Sequence, residues 1–410
     1  MNNSTEILPA VNKTVSRPIA FAAGLGMIFA TSLPVTAGDT FQSPARSLQQ
    51  VPTVDAAMIE RPRIQLAIIL DTSNSMDGLI SQTRNQLWQV VNEFSSAQQD
   101  GMTPILEIAL FEFGNNNIPQ DHGYVRMLNS FTRELDAVSE GLFSLTTNGG
   151  EEYCGYAIGV AVDQLQWSQS DSDIKTIFIA GNESFAQGPV SYRQAIERAA
   201  AQGITINTIH AGSHEEGVQG GWQAGALLAG GDYLSIDANQ QVVHIDAPQD
   251  ARISELNALL NETYVPYGSL GAEKVQRQLQ QDQASEEISV GLLAKRAGSK
   301  ASAFYDNSEW DMVDALEDGE IAREQVGEME AAVLPEPMRS MSASGRLEYL
   351  QQKKDERDAI RQEILELSED RAVYVAEKKR EQAVAAPAVS DALSGAIRKQ
   401  AQQKNFSFEN

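Results

Sequence analysis

Three oxygen-bearing side chains at alternate positions, Asp71, Ser73 and Ser75, are the residues of this chain best placed to do chemistry. They follow the unbroken apolar run Leu66 to Leu70, which has the form of a strand buried on both faces of a parallel sheet. They precede Met76-Asp77-Gly78 and a helical pattern. In an open α/β sheet ligands bind in the crevice beyond the carboxyl ends of the strands, where this trio would lie. Carboxylate and hydroxyl oxygens suit a hard divalent cation, with Mg²⁺ expected and Ca²⁺ as the alternative. The same residue types also cap helices and close turns, so a purely structural loop is the competing reading.

Asp71-Thr-Ser73-Asn-Ser75 resembles the DxSxS signature of the von Willebrand factor A (vWA) domain. The resemblance implies a Rossmann-like α/β fold and a metal-ion-dependent adhesion site, in which Mg²⁺ keeps one coordination position open for a partner's carboxylate. It also implies two further loops. One has a Thr after Gly-Gly; here Gly149-Gly150 is followed by Glu151 and Glu152, with Glu151 favoured by spacing from Gly-Gly and Glu152 by spacing back from Ala157-Ile158. The other ends a strand with Asp-Gly; here the run is Ala180-Gly181-Asn182-Glu183, so Asn182 and Glu183 stand nearest to the missing Asp. The expected metal set is therefore Asp71, Ser73, Ser75, Glu151, Glu152, Asn182 and Glu183. A haloacid-dehalogenase-type phosphatase also puts an Asp at the end of its first strand, but it needs a second Asp where Ser73 stands.

Other reactive groups are sparse. His210 and His214 lie four apart, a zinc-ligand spacing on a helix, but Gly212 and a strand end argue against a helix there. Asp237-Ala-Asn239-Gln-Gln241 mimics the start of a calcium loop, yet Val242 occupies the position of the turn glycine, and a hairpin into Val242 to Ile245 is the better reading. Cys154, the only cysteine, cannot form an internal disulfide and reads as a buried thiol. No Ser-His-Asp set, nucleophile elbow, zincin motif or phosphate-cradling loop is present, and the expectation is a protein that is not an enzyme.

The elements that must position these groups alternate as strand and helix. A helix from Gly78 to about Ala97 carries an apolar stripe, Leu79, Thr83, Leu87, Val90, Val91 and Phe94, with Trp88 less central to it. Ile105 to Phe113 and Tyr124 to Leu128 form a hairpin whose second strand is expected at an antiparallel edge. Helices at Arg133 to Phe143, Tyr156 to Leu165, Val190 to Ala201, Trp222 to Ala229 and Pro248 to Glu262 interleave with strands at Ile174 to Ala180, Ile204 to Ile209 and Tyr233 to Ile236, and Gly217 to Gly221 reads as a turn. The organisation expected is a signal peptide over residues 1–37, a linker over 38–60, a vWA domain over 61–268, a helical extension over 269–334 and a charged helical tail over 335–410. The C-terminal third is thus an α-helical region. Arg357 and Arg371 interrupt the apolar seam of its long charged helix, so a helical hairpin or weak coiled coil is expected there.

Composition narrows the partners. With 56 acidic and 31 basic residues in 410, the formal charge of -25 repels phosphate backbones, so no nucleic-acid binding is expected. Lys13 and Arg17, the apolar run Ile19 to Leu33, and Val35-Thr36-Ala37 have the form of an export signal. The protein is expected to be exported, periplasmic or extracellular, with inner-membrane anchoring only if that segment stays uncleaved. The whole arrangement resembles bacterial exported vWA proteins. Two functions follow as expectations: binding a protein partner, through an acidic side chain at the divalent cation, or a metal-free scaffold that partners through the C-terminal helices.

Overall fold

The computed structural model describes residues 61–94, 97–236, 245–381 and 389–408. The expected leader, the linker and the Asp237 loop lie outside them. The chain begins with β1 (Arg63–Asp71), runs through α1 (Asp77–Phe94) and the short β2 (Ala97–Gln99), and returns along β3 (Ile105–Phe113). Next come β4 (Val125–Thr132), α2 (Leu135–Ser144), α3 (Cys154–Gln164), β5 (Ile174–Gly181), α4 (Tyr192–Ala201), β6 (Thr205–Ala211), α5 (His214–Gln219), α6 (Trp222–Leu228) and β7 (Tyr233–Ile236). Beyond the sheet lie α7 (Asp250–Asn261), α8 (Gly271–Ile288), α9 (Val290–Ala301), α10 (Met312–Glu317), α11 (Arg323–Glu328), α12 (Ala343–Glu381), α13 (Val389–Gln403) and β8 (Phe406–Phe408).

Six strands form one sheet in the order β4-β3-β1-β5-β6-β7. Every neighbouring pair is parallel except β3 with β4, which puts the antiparallel strand at the edge. The central pairing sets Asp71 opposite Phe113 and Leu70 opposite Ala180, so the tips of β1, β3 and β5 end together. Side chains of β1 alternate between two cores. Ile64, Leu66 and Leu70 join α1, α2, α7, α9 and α13, whereas Ala67 and Ile69 face α3, α4 and α6. β5 is buried along its whole length, as a central strand covered by helices on both faces must be.

Helices α7, α9 and α13 and Ile364 of α12 share the first of those cores, while α10, α11 and Leu350 of α12 form a third cluster with Val265, Leu334 and Met338. Within α9, Ala294, Ala297 and Gly298 keep the profile low enough for α1 and α12 to close on it, and a Cβ on Gly298 would stand 3.2 Å from Ser368 Oγ. Ser289 separates α8 from α9; its extended backbone ends α8, and its hydroxyl accepts the Leu292 N–H to cap α9. The long charged stretch is one continuous helix of 39 residues, not a hairpin or coiled coil, and it packs on α7, α9 and α10 of its own chain. Arg357 and Arg371 do not interrupt its seam. They are buried in it, Arg357 bonded to Asp311 and Asp314 (2.6 Å each) and Arg371 to Asp250 (2.5 Å).

Trp88 is likewise fully buried, because the Arg296 guanidinium of α9 covers its ring at 4.7 Å. Helix α5 begins at His214, before the expected turn, through a capping box in which Ser213 and Glu216 bond reciprocally. A two-stranded ribbon escaped the sequence reading altogether: β2 pairs antiparallel with β8, over 300 residues later, and Gln99 Nε2 donates to the Lys404 carbonyl. Three-residue strands carry little pattern of their own. No helix among the described residues is long and apolar enough to cross a membrane.

Candidate metal site at the carboxyl edge of the sheet

Asp71 is the last residue of β1 and is wholly buried. Its Oδ1 accepts the Ser73 N–H at 2.7 Å, which turns the chain sharply out of the strand. The Ser73 and Ser75 hydroxyls then lie 3.1 Å apart. Asn74 donates its N–H to the Gly149 carbonyl (3.2 Å) and Asn148 donates to the Thr72 carbonyl (2.9 Å), so the first loop is laced to the Gly-Gly loop by backbone bonds.

That lacing decides between the two glutamates. Glu151 is exposed: its backbone bridges Gly114, and its carboxylate accepts from the Tyr153 hydroxyl at 3.1 Å. Glu152 turns inward, is 2% exposed, and its carboxylate lies beside Asp71 and Ser73. The Glu183 N–H donates to Glu152 Oε2 at 3.2 Å. Glu183 therefore reaches the site through its backbone while its side chain is exposed. Asn182 Nδ2 donates to Ser75 Oγ at 2.9 Å. Five of the seven expected residues, Asp71, Ser73, Ser75, Glu152 and Asn182, are thus joined through their side chains, and Glu151 and Glu183 stand outside as a rim.

Two glycines make the close approach possible. A Cβ on Gly114, which has φ +81°, would fall 2.7 Å from Asp71 Oδ1 and 3.1 Å from the Glu152 side chain. A Cβ on Gly181 would fall 3.2 Å from Asp71 Oδ2 and 3.0 Å from the Trp222 ring. Beneath them Trp222 packs on Phe185 and His210, and its Nε1 donates to the Glu183 carbonyl at 2.7 Å. His210 Nε2 donates to the Asn182 carbonyl at 3.1 Å, so this histidine holds the loop. His214 lies against Tyr233, and the two histidines form no metal pair.

A brace on the other side was not foreseen. Asn115 Nδ2 donates to the Thr146 carbonyl (2.8 Å), and the Asn116 N–H donates to the Asn148 carbonyl (3.0 Å). Arg84 of α1 donates to the carbonyls of Leu142, Phe143 and Leu145, closing the end of α2 just before the same loop. The sequence signal for this brace is the triplet Asn115-Asn116-Asn117, which follows Gly114 just beyond the end of β3.

The electrostatics follow from burial. Desolvation first, then the Glu152 charge, push the Asp71 carboxyl well above its ordinary range. Desolvation raises Glu152 as well. The neighbouring Cys154 thiol is raised by burial and by both acids, so it is held neutral and unreactive. Asp71 Oδ2 and Asn182 Oδ1 are buried without hydrogen-bond partners. Two buried acids in contact need a proton or a cation between them. The chemistry of the donors, carboxylate, hydroxyl and amide oxygens with two of them orphaned, fits a hard divalent cation. Among the described residues no group of three or more His, Cys, Asp or Glu is gathered for a metal.

The strand order, the antiparallel edge strand and the helices on both faces make the fold α/β with a mostly parallel sheet, as the sequence resemblance implies. No protein-family model matches the chain, and no curated protein matches it. Among solved structures 158 chains match. The conserved hypothetical protein BatB from Bacteroides thetaiotaomicron is 16% identical over 42% of this chain and 90% of its own, with a TM-score of 0.33. The SpRpn10 VWA domain is 15% identical over 44% of this chain and 100% of its own, with a TM-score of 0.32. Proximal thread matrix protein 1 from the mussel byssus, in a form with a zinc-occupied MIDAS motif, is 11% identical over 44% of this chain and 43% of its own, with a TM-score of 0.33.

Proposed function

We propose that this protein is an exported, non-enzymatic protein-binding module whose site at the carboxyl edge of the sheet holds a divalent cation, Mg²⁺ or Ca²⁺. The observation that carries the proposal is the buried Asp71–Glu152 pair, with an orphaned carboxylate oxygen beside the Ser73, Ser75 and Asn182 side chains. Asp71 and Glu152 would supply the charge, and the hydroxyl and amide oxygens would fill out the shell. Glu152, an acid where the vWA resemblance implies a Thr, makes the ion less electron-poor and weakens its pull on a partner's anion. The cation in this chain is therefore chiefly structural, tying three loops into one binding face.

The absence of catalysis is part of the same proposal: His210 is bonded to a carbonyl and Cys154 is buried and neutral, so neither is paired with a nucleophile or base at the edge. The scaffold alternative, partnering through the C-terminal helices, draws less support, since the buried positions of α12 face its own chain. Calorimetry of the exported chain with Mg²⁺ and Ca²⁺, before and after Asp71→Ala, tests the site. Heat of binding in the parent that disappears in the variant is the expected result; equal heats in the two proteins remove the metal from the function.

A further inference from the structure

Five loops surround the Asp71–Glu152 pair, at residues 71–78, 114–124, 146–153, 181–191 and 212–221, and together they hold eight acidic residues and no lysine or arginine. Four of them begin where β1, β3, β5 and β6 end, so the parallel sheet delivers them to one edge, and the fifth is laced to the first. Asp71 and Glu152 are buried; Asp77, Asp121, Glu151, Glu183, Glu215 and Glu216 are exposed. Several acids elsewhere are paired with cations, Glu134 with Lys274 and Arg277, Asp358 with Lys354, and Glu363 with Arg252. Arg84, the cation of α1 that approaches this edge, is committed to three backbone carbonyls.

Two further features point to positive charge as what the face receives. The fully buried Asp71 keeps its Oδ2 without a hydrogen-bond partner beneath these loops. At the rim the rings of Tyr124 and Tyr153 meet edge to face at 5.5 Å, half-buried, with the Tyr153 hydroxyl bonded to the exposed Glu151. Aromatic rings beside a carboxylate suit an ammonium or guanidinium group.

We propose that this loop face binds a cationic segment of a protein partner, a stretch bearing several lysines or arginines, in place of the carboxylate that the sequence resemblance implies. An incoming carboxylate would meet unneutralised negative charge from every loop, within a screening length of about 8 Å at physiological salt. A basic segment would gain from the same charges, and attraction over that range also speeds its encounter. The inference rests on the reading of the chain as a protein-binding module, but not on the identity of the ion.

Fluorescence anisotropy with the exported chain and fluorescein-labelled deca-lysine or deca-glutamate, in Mg²⁺ buffer, tests it. Two triple variants carry the comparison: Glu151→Gln/Glu183→Gln/Glu215→Gln on the loops, and Glu348→Gln/Asp355→Asn/Glu366→Gln on the exposed side of α12, with the same change in net charge. The expected result is that deca-lysine binds the parent and the α12 variant alike, and the loop variant about tenfold more weakly. Equal weakening in both variants would mean mere attraction to the overall charge and overturns the proposal. So does an absence of deca-lysine binding, or deca-glutamate binding that depends on Mg²⁺. The Asp71→Ala calorimetry reads the metal alone, so failure there leaves the deca-lysine outcome to be judged independently.

Discussion

At the scale of single residues, the site depends as much on what is missing as on what is present. Asp71 and Glu152 are brought together under two positions that have no side chain, Gly114 and Gly181. Gly114→Ala is expected to cost roughly 1–3 kcal/mol of stability, since a Cβ there needs a left-handed backbone and drives into the Asp71 carboxylate. It should also weaken the Mg²⁺ heat. Gly150→Ala provides the contrast: nothing lies within 4 Å of its Cβ, so thermal unfolding and Mg²⁺ heat should both stay close to the parent. Chemical denaturation of the two variants side by side measures the difference, and equal losses would contradict the packing described here.

At the scale of elements, buried ion pairs lock the helices beyond the sheet to one another. Arg357 of α12 bonds to Asp311 and Asp314 and lies 4.3 Å above the Tyr264 ring, and its Nη2 donates to the Thr263 carbonyl at 2.8 Å. Burial lowers the guanidinium's pKa, but the two aspartates outweigh it and hold the group firmly charged. Arg357→Ala would leave two acids in the interior without their main counter-charge, at an expected cost of about 3–5 kcal/mol. Lys354→Ala, one turn away and bonded to Glu317 and Asp358 near the surface, should cost about 0–1 kcal/mol. Urea unfolding midpoints that fall equally for both would show that α12 is held by its apolar contacts alone.

At the scale of the whole molecule, the same device gives stability a definite pH dependence. Asp282 of α8 accepts from Arg296 Nε (2.6 Å), Lys300 Nζ (2.9 Å), Asn257 (2.8 Å) and Asn261 (2.7 Å). Burial raises its carboxyl, but the Lys300 and Arg296 charges prevail and hold it below the usual range. Its native pKa is therefore depressed. The stabilisation is fully present above the unfolded value of about 3.9 and is lost as pH falls through the native value. Asp282→Asn should lower stability at neutral pH, where Arg296 and Lys300 keep their charge near a neutral amide, and it should flatten the loss of stability on acidification below about pH 4. Thermal unfolding from pH 3 to 7 checks both parts. An acid limb as steep as the parent's would place the sensitivity in other carboxylates.

Much of the fold was legible because it is written in local pattern. Ile105–Phe113 and Tyr233–Ile236 are apolar runs whose limits coincide with the strands observed, and the alternation of strand with helix is what a mostly parallel sheet requires. Asp71, Ser73 and Ser75 were likewise readable, since a buried strand that stops at an acid is a local signal. The choice of Glu152 over Glu151, and of Asn182 over the Glu183 side chain, was not readable. It depends on which way each loop turns once Asn148, Gly149 and Asn116 have bonded to segments distant in sequence.

The sequence by itself determined the alternation of the main strands and helices, the acid at the end of the first strand, and the excess of negative charge, all of which follow from neighbouring residues or simple counting. Only the tertiary structure decided that Arg357 and Arg371 complete a buried seam, that β2 finds its partner at β8, and that six exposed acids share one face. Each of these joins residues separated by tens to hundreds of positions. A charged or three-residue segment has no preferred environment until the surfaces it will meet have been assembled.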